Sequence, residues 1–260
     1  MKVPFLEYRS VLAYNRDVFL IEHSDLLKTF ITIDNNFDEL IRLPQTRRDH
    51  ENNSHVSLVP LILLLRRQAH CAFDVLSADQ SYQAWLLLRP GIEAVLILGK
   101  WVDDSKNAKI WQDRAKDPGT YQKTYTGKAL QSVSLINSDR IQGVLRTLND
   151  RFVHTNLDYY YRHLDIGPGD PGYMKVVLNY FEDDTLQLVN VLAFLHLLLV
   201  VQEALLALFN KLFGTKVILP STLALFRQTY GDRIERLVHE NDEYKAVLSD
   251  LGGLNLTEQR

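Results

Sequence analysis

The chain has 260 residues, of which 46% are hydrophobic and 23% are charged, and these values exclude a largely disordered polypeptide. The net charge of −3 excludes a broadly basic nucleic-acid-binding protein, so any such contact must come from a local basic patch. The single cysteine, Cys71, excludes an internal disulfide and a cysteine-based zinc site. Its place in an apolar helical run predicts a buried, inert thiol.

The first half of the chain follows the helical period of apolar residues. A break in the first helix is predicted near residues 32–36, and Pro44 is predicted to end that helix. Pro60 falls in the first turns of the second helix, where proline is tolerated. Pro90 and Gly91 predict a kink or a short break in the middle of the third. The three helices are predicted over residues 8–42, 54–77 and 81–102.

The second half is also helical, apart from residues 164–173, whose three glycines and two prolines predict a loop. A further break is predicted at Gly231, and residues 251–260 are predicted to form a flexible tail. Residues 1–250 therefore predict a single all-α domain built as a helical bundle. Its later helices are predicted to begin at Ser138, at Asp183 or Asp184, and near Ser221.

Residues 188–213 are nearly all apolar and long enough to cross a bilayer. His196, Gln202 and Glu203 interrupt this run, and an ionised glutamate inside a membrane span is costly. A helix that is apolar on all sides is also typical of the centre of a bundle. We therefore predict a long buried helix and no membrane association. The N-terminal residues lack the apolar stretch of a secretory signal, which predicts a cytoplasmic protein.

Two pairs of polar residues lie inside apolar helical runs, each with a spacing of four. Arg66 and His70 share one face of the second helix, and Arg89 and Glu93 share one face of the third. Isolated buried charges are expensive, so these groups are predicted to be paired or to line an exposed stripe. One interpretation is a structural ion-pair network between helices. The other is a polar cleft into which His154 also points.

His154 follows "LNDRFV" near the end of its helix, and Arg151 lies about one turn earlier. A histidine titrates near neutral pH and can act as a general acid or base, and an arginine can hold a phosphate. This pair is therefore a candidate catalytic site, although a capping or structural histidine is the competing interpretation. No ligand pattern for a metal or a cofactor is recognisable in the chain.

Tyr159, Tyr160 and Arg162 follow within a few residues and predict a surface that stacks on bases and contacts phosphates. Because Tyr161 extends the run to three tyrosines, at least one of them must turn away from any single face. Core packing of that tyrosine is the competing interpretation.

The segments "LLLRPGIEAVLILGKWVDDSKNAKIWQDR" and "LNDRFVHTN" together resemble a group of uncharacterised microbial helical proteins that are similar to HEPN domains. HEPN domains are helical bundles associated with nucleic-acid processing and defence. The resemblance covers about residues 55–210 and singles out Arg89, Glu93 and His154, with Arg151 as a partner. Arg151 stands closer to His154 than the arginine of active HEPN ribonucleases stands to its histidine, which implies a non-catalytic member.

The sequence therefore predicts a HEPN-like binding or regulatory module, with RNA or another nucleic acid as the expected partner and with pairing into a homo-oligomer. The alternative is a metal-independent endoribonuclease. In that case His154 would be the general base, and Arg151 or Arg89 would stabilise the pentacovalent phosphate.

Overall fold

The computed structural model describes residues 4–46, 57–153, 164–168, 174–178, 184–220 and 222–254. The predicted all-α, single-domain class is confirmed. Within the described residues, two helices end in π-helical turns: Asn149–Val153, the first π-turn, and Val247–Leu251, the second π-turn. The helices are α1 (Pro4–Glu22), α2 (Ser24–Thr46), α3 (Val59–Ser77), α4 (Ser81–Asp103), α5 (Lys106–Gln112), α6 (Pro118–Tyr125), α7 (Ser138–Leu148), α8 (Asp184–Phe213), α9 (Leu223–Glu240) and α10 (Asp242–Ala246).

The predicted long apolar helix is α8, and all of its residues from 187 to 202 are buried. Two of its polar side chains bond to neighbouring helices, as burial favours. The Gln202 amide donates to the Ile33 carbonyl (2.6 Å), and Glu203 accepts from the main-chain N–H of Leu223 at the start of α9 (3.0 Å). The residues that interrupt the apolar run thus connect α8 to α2 and α9.

Within the described part of the chain, α8 is the helix that is long and apolar enough to cross a membrane. Most of that helix is buried inside the bundle, which confirms the prediction of a long buried helix. The cytoplasmic location stays a prediction.

Helices α3 and α4 pack with their backbones unusually close. A Cβ atom on Gly91 would lie 3.0 Å from the Cα atom of Leu65, so a larger residue there would separate the two helices. Of the predicted kink or short break at Pro90, the break is wrong, because α4 continues through this residue, and the kink stays a prediction. Leu88 and Ile92 on either side are fully buried, and this packing offsets the hydrogen bond that proline removes. Pro60 does lie in the first turn of α3, as predicted.

Two other predicted breaks are also wrong. Helix α2 runs through residues 32–36, and the chain instead breaks at His23, immediately before α2. Buried Ile33 and Phe37 hold that part of α2 in the core. Helix α9 likewise continues through Gly231, because Tyr230 and Ile234 are buried on either side of it.

Part of the predicted loop is a short strand. Residues Leu164–Pro168 form β1, which pairs antiparallel with β2 at Met174–Leu178, so that Leu164 lies opposite Leu178. Strand pairing adds regular structure where the glycine and proline content predicts none.

Two further predictions are corrected by burial. Cys71 is exposed, because α3 buries Ala69, Ala72 and Phe73 and leaves Cys71 on another face. The predicted tail from residue 251 begins in the core, because Leu251 and Leu254 are buried.

Candidate functional site

The structure describes only some of the residues that the sequence predicts to be functional. Arg66, His70, Arg89, Glu93 and Arg151 are all described, and each takes part in a polar contact. The other predicted residues lie outside the described residues, and they are His154, Tyr159, Tyr160 and Arg162.

The first polar cluster, which we name the α2–α3 tie, consists of Asp34, Asp38, Arg66 and His70. The Nε and Nη2 atoms of Arg66 donate to the two carboxylate oxygens of Asp34 at 2.7 and 2.8 Å, and its Nη1 atom donates to Asp38. The Nε2 atom of His70 lies 2.5 Å from Oδ1 of Asp34. Both helices present their residues at a spacing of four, so the two pairs face each other.

The opposite charges in the α2–α3 tie stabilise each other's ionised forms. Burial raises the pKa of Asp34, but the hydrogen bonds from Arg66 and His70 together outweigh it and hold that pKa below its ordinary value. The hydrogen bonds that Arg66 donates to Asp34 raise the pKa of the Arg66 guanidinium in turn. Because its guanidinium contacts two carboxylates, Arg66 is engaged within the protein.

The second cluster, the α4–π-turn tie, consists of Arg89, Glu93 and Asn149. The Nε atom of Arg89 donates to the side-chain oxygen of Asn149 at 2.5 Å, and its Nη1 atom lies 3.2 Å from Glu93 Oε2. The side chains of Arg89 and Glu93 are both about 30% exposed, so the tie lies at the edge of the core. It joins a regular helix to the first residue of the first π-turn.

Tyr82, which lies on α4 seven residues before Arg89, makes a second attachment to the same turn. The Tyr82 hydroxyl donates to the main-chain carbonyl of Phe152 at 2.7 Å, and the two rings are 5.3 Å apart. A π-turn shifts the register of hydrogen bonds and re-aims the side chains that follow, and such turns are frequent at functional sites. Here α4 holds both ends of the turn that leads directly into His154.

Arg151 lies inside the first π-turn and contacts the other end of the chain. Its Nη2 atom donates to Asp250 Oδ2 at 2.6 Å, and the Ser249 hydroxyl donates to the other carboxylate oxygen at 3.0 Å. Asp250 belongs to the second π-turn, so this ion pair joins the two irregular turns.

The second π-turn is anchored to α8. A Cβ atom on Gly252 would lie 2.9 Å from the Cα atom of Ala193 and 2.6 Å from the Leu248 carbonyl oxygen, so only glycine fits there without a shift. His196 Nδ1 lies 2.7 Å from the Gly252 carbonyl oxygen. Burial lowers the pKa of His196 to about 4, so the ring is neutral at pH 7 and Nδ1 carries the donated proton.

The structure separates the predicted polar network into distinct clusters. Arg66 and His70 bond to α2, whereas Arg89 bonds to Glu93 on its own helix and to Asn149 in the first π-turn. Asp34 and Asp38 had a usable signal in the sequence, since two aspartates four apart on an apolar helix require a cationic partner. The other partners that sequence reasoning missed, Tyr82, Asn149 and Asp250, had none.

No family model matches the chain, and no curated protein or solved structure is significantly similar to it. The resemblance to HEPN domains therefore stays a prediction. Among the described residues, no group of three or more His, Cys, Asp or Glu side chains is arranged to hold a metal ion.

Proposed function

We propose that the chain is a non-catalytic, HEPN-like module that binds single-stranded RNA through residues 154–163. The resemblance supplies the class of ligand, and the residue types in this segment supply the chemistry. Aromatic rings stack on bases of any sequence, and arginine contacts the backbone phosphates. The first π-turn directly precedes this segment in the chain.

The contact of Arg89 with Asn149 and Glu93 is the observation that carries this proposal. An arginine that stabilises a reacting phosphate must direct its donors towards the substrate. Arg89 instead directs its Nε and Nη1 donors towards the protein, and one acceptor is the first residue of the π-turn. This geometry supports a role in positioning the binding segment rather than in chemistry.

Fluorescence anisotropy with a labelled single-stranded RNA of about 20 nucleotides tests the proposal. We expect salt-dependent binding, because phosphate contacts release counterions. The double substitution Tyr159→Ala and Tyr160→Ala should weaken binding about tenfold or more, since stacking contributes about 1–3 kcal/mol per base. Tyr14→Ala is the matched control, because Tyr14 is a 69% exposed tyrosine on α1. Equal affinity in both variants would contradict the proposed binding surface.

A metal-independent endoribonuclease is the second candidate, and the exposure of the Arg151 side chain favours it. This arginine lies three residues before His154, and its side chain is 41% exposed, which leaves it accessible to a phosphate. RNA cleavage that persists with a chelator, and that His154→Ala abolishes without unfolding the chain, would establish this function. Intact RNA after prolonged incubation with the wild type would support the binding module.

A further inference from the structure

The ion pair between Arg151 and Asp250 joins residues that are 99 positions apart in the chain. Both side chains are 41% exposed, so a dissolved anion can reach the guanidinium beside the carboxylate. Carboxylates and phosphates are both recognised by the planar donor fork of arginine. Asp250 therefore presents to Arg151 the same kind of acceptor that an RNA phosphate would present.

Contacts with α4 and α8 fix the main chain on each side of this ion pair. Tyr82 and Arg89 attach the first π-turn to α4 through Phe152 and Asn149. The second π-turn lies against α8, where Leu248 is fully buried. An ordinary surface ion pair between two long, mobile side chains has no such support. The fold therefore places Arg151 next to Asp250.

We propose that Asp250 acts as an internal anion that occupies Arg151 and competes with a phosphate of the bound RNA. This inference rests on the proposed function and adds a means of control to it. A ligand must displace the carboxylate before it gains the arginine, so the pair weakens binding to short or weakly charged ligands. Any event that draws residues 247–254 away from the first π-turn would break the contact between Asp250 and Arg151 and raise the affinity.

Asp250→Asn tests this competition directly, because it removes the charge and keeps the shape. Binding of the labelled single-stranded RNA should become about two- to fivefold tighter, the range expected when an exposed ion pair no longer has to be broken. Asp74→Asn is the matched control, since it also removes one carboxylate from an exposed arginine pair, that with Arg16. Adding Arg151→Ala to Asp250→Asn should abolish the gain.

Each other outcome overturns the inference. Unchanged or weaker binding by Asp250→Asn, while the wild type binds RNA, would mean that Asp250 is inert or holds Arg151 in place; the proposed function would survive. An equal gain in Asp74→Asn would indicate a general effect of charge. Absence of RNA binding in both the wild type and Asp250→Asn would overturn the inference and the proposed function together. Asp250→Ser replaces Asp250→Asn if circular dichroism shows that the latter is unfolded.

Discussion

The two ties begin from the same sequence pattern, an arginine with a polar residue four positions later, yet they hold different structures together. The α2–α3 tie joins two regular helices through one guanidinium and two carboxylates. The α4–π-turn tie joins a regular helix to an irregular turn through a neutral amide. The first arrangement maximises charge pairing, whereas the second fixes the position of a main-chain segment.

This difference shows that a polar pair on an apolar helix does not by itself indicate the structural role of the pair. In the α2–α3 tie the partners Asp34 and Asp38 lie on a helix that is buried for other reasons. In the α4–π-turn tie the partner Asn149 begins the first π-turn. Among the residues that the structure describes, side-chain hydrogen bonds attach this turn to α4 at two points, through Arg89 and through the Tyr82 hydroxyl. We expect the first tie to matter mainly for stability and the second mainly for binding.

Acid should destabilise the anchor of the second π-turn at a higher pH than the α2–α3 tie, and this is the largest expected effect. The pKa of His196, beneath the second π-turn, falls from an ordinary 6.5 to about 4 in the folded chain. The unfolded chain therefore takes up the proton first, and stability is lost as pH falls from 6.5 to 4. The loss amounts to about 3 kcal/mol in order of magnitude. The stability that Asp34 contributes is fully present above pH 3.8 and is lost only below that value, because its folded pKa is depressed.

Urea denaturation between pH 7 and pH 3 measures both losses. In His196→Gln the loss between pH 6.5 and 4 should shrink, while the amide can still donate to the Gly252 carbonyl. In Asp34→Asn only the loss below pH 3.8 should shrink. An unchanged acid profile in His196→Gln would show that the second π-turn is not anchored through a neutral histidine.

Arg66→Met should give the next largest effect. It leaves Asp34 and Asp38 facing each other without a cation, and we expect a loss of about 2 kcal/mol, since the group is partly exposed. The melting midpoint should fall by roughly 4–8 °C. Adding Asp34→Asn and Asp38→Asn should restore part of the loss, and failure to do so would argue against charge pairing as the role of this tie. RNA affinity should not change.

Arg89→Met should be milder in stability and stronger in function. It removes the hydrogen bond to Asn149, which costs about 1 kcal/mol, and the first π-turn loses one of its attachments to α4. RNA binding should weaken severalfold, because the segment that follows the turn is less well positioned. Glu93→Gln is the control, since it leaves the hydrogen bond from Arg89 to Asn149 in place. A fall in stability without a fall in RNA affinity would make the α4–π-turn tie purely structural.

Tyr82→Phe should have the smallest effect. It removes the hydroxyl that donates to the Phe152 carbonyl but keeps the ring against Phe152, at a cost of about 0.5–1 kcal/mol. Hydrogen exchange should accelerate in residues 149–153 and stay unchanged in α2 and α3. Uniform acceleration across the bundle would show that this hydroxyl stabilises the whole fold rather than the turn.

Features that depend on neighbours along the chain could be predicted from the sequence. The all-apolar run of α8, the end of α3 at Ser77 and the start of α4 at Ser81 follow from local periodicity and turn residues. Arg66 with His70 and Arg89 with Glu93 follow from the geometry of a single helix, which places residues four apart on one face. The need for polar partners was equally predictable, because a buried charge without one is too costly.

The identity of the polar partners depends on the tertiary structure. Asn149 and Asp250 become acceptors for arginines because two π-turns bring them there, and a π-turn has no local sequence signature of the kind that glycine or proline gives. The burial of Leu254 in a segment with the composition of a flexible tail depends on its contact with the rest of the bundle. Such contacts join residues about 60 to 100 positions apart, and their free energy comes from the packing of the whole bundle rather than from any one stretch of chain.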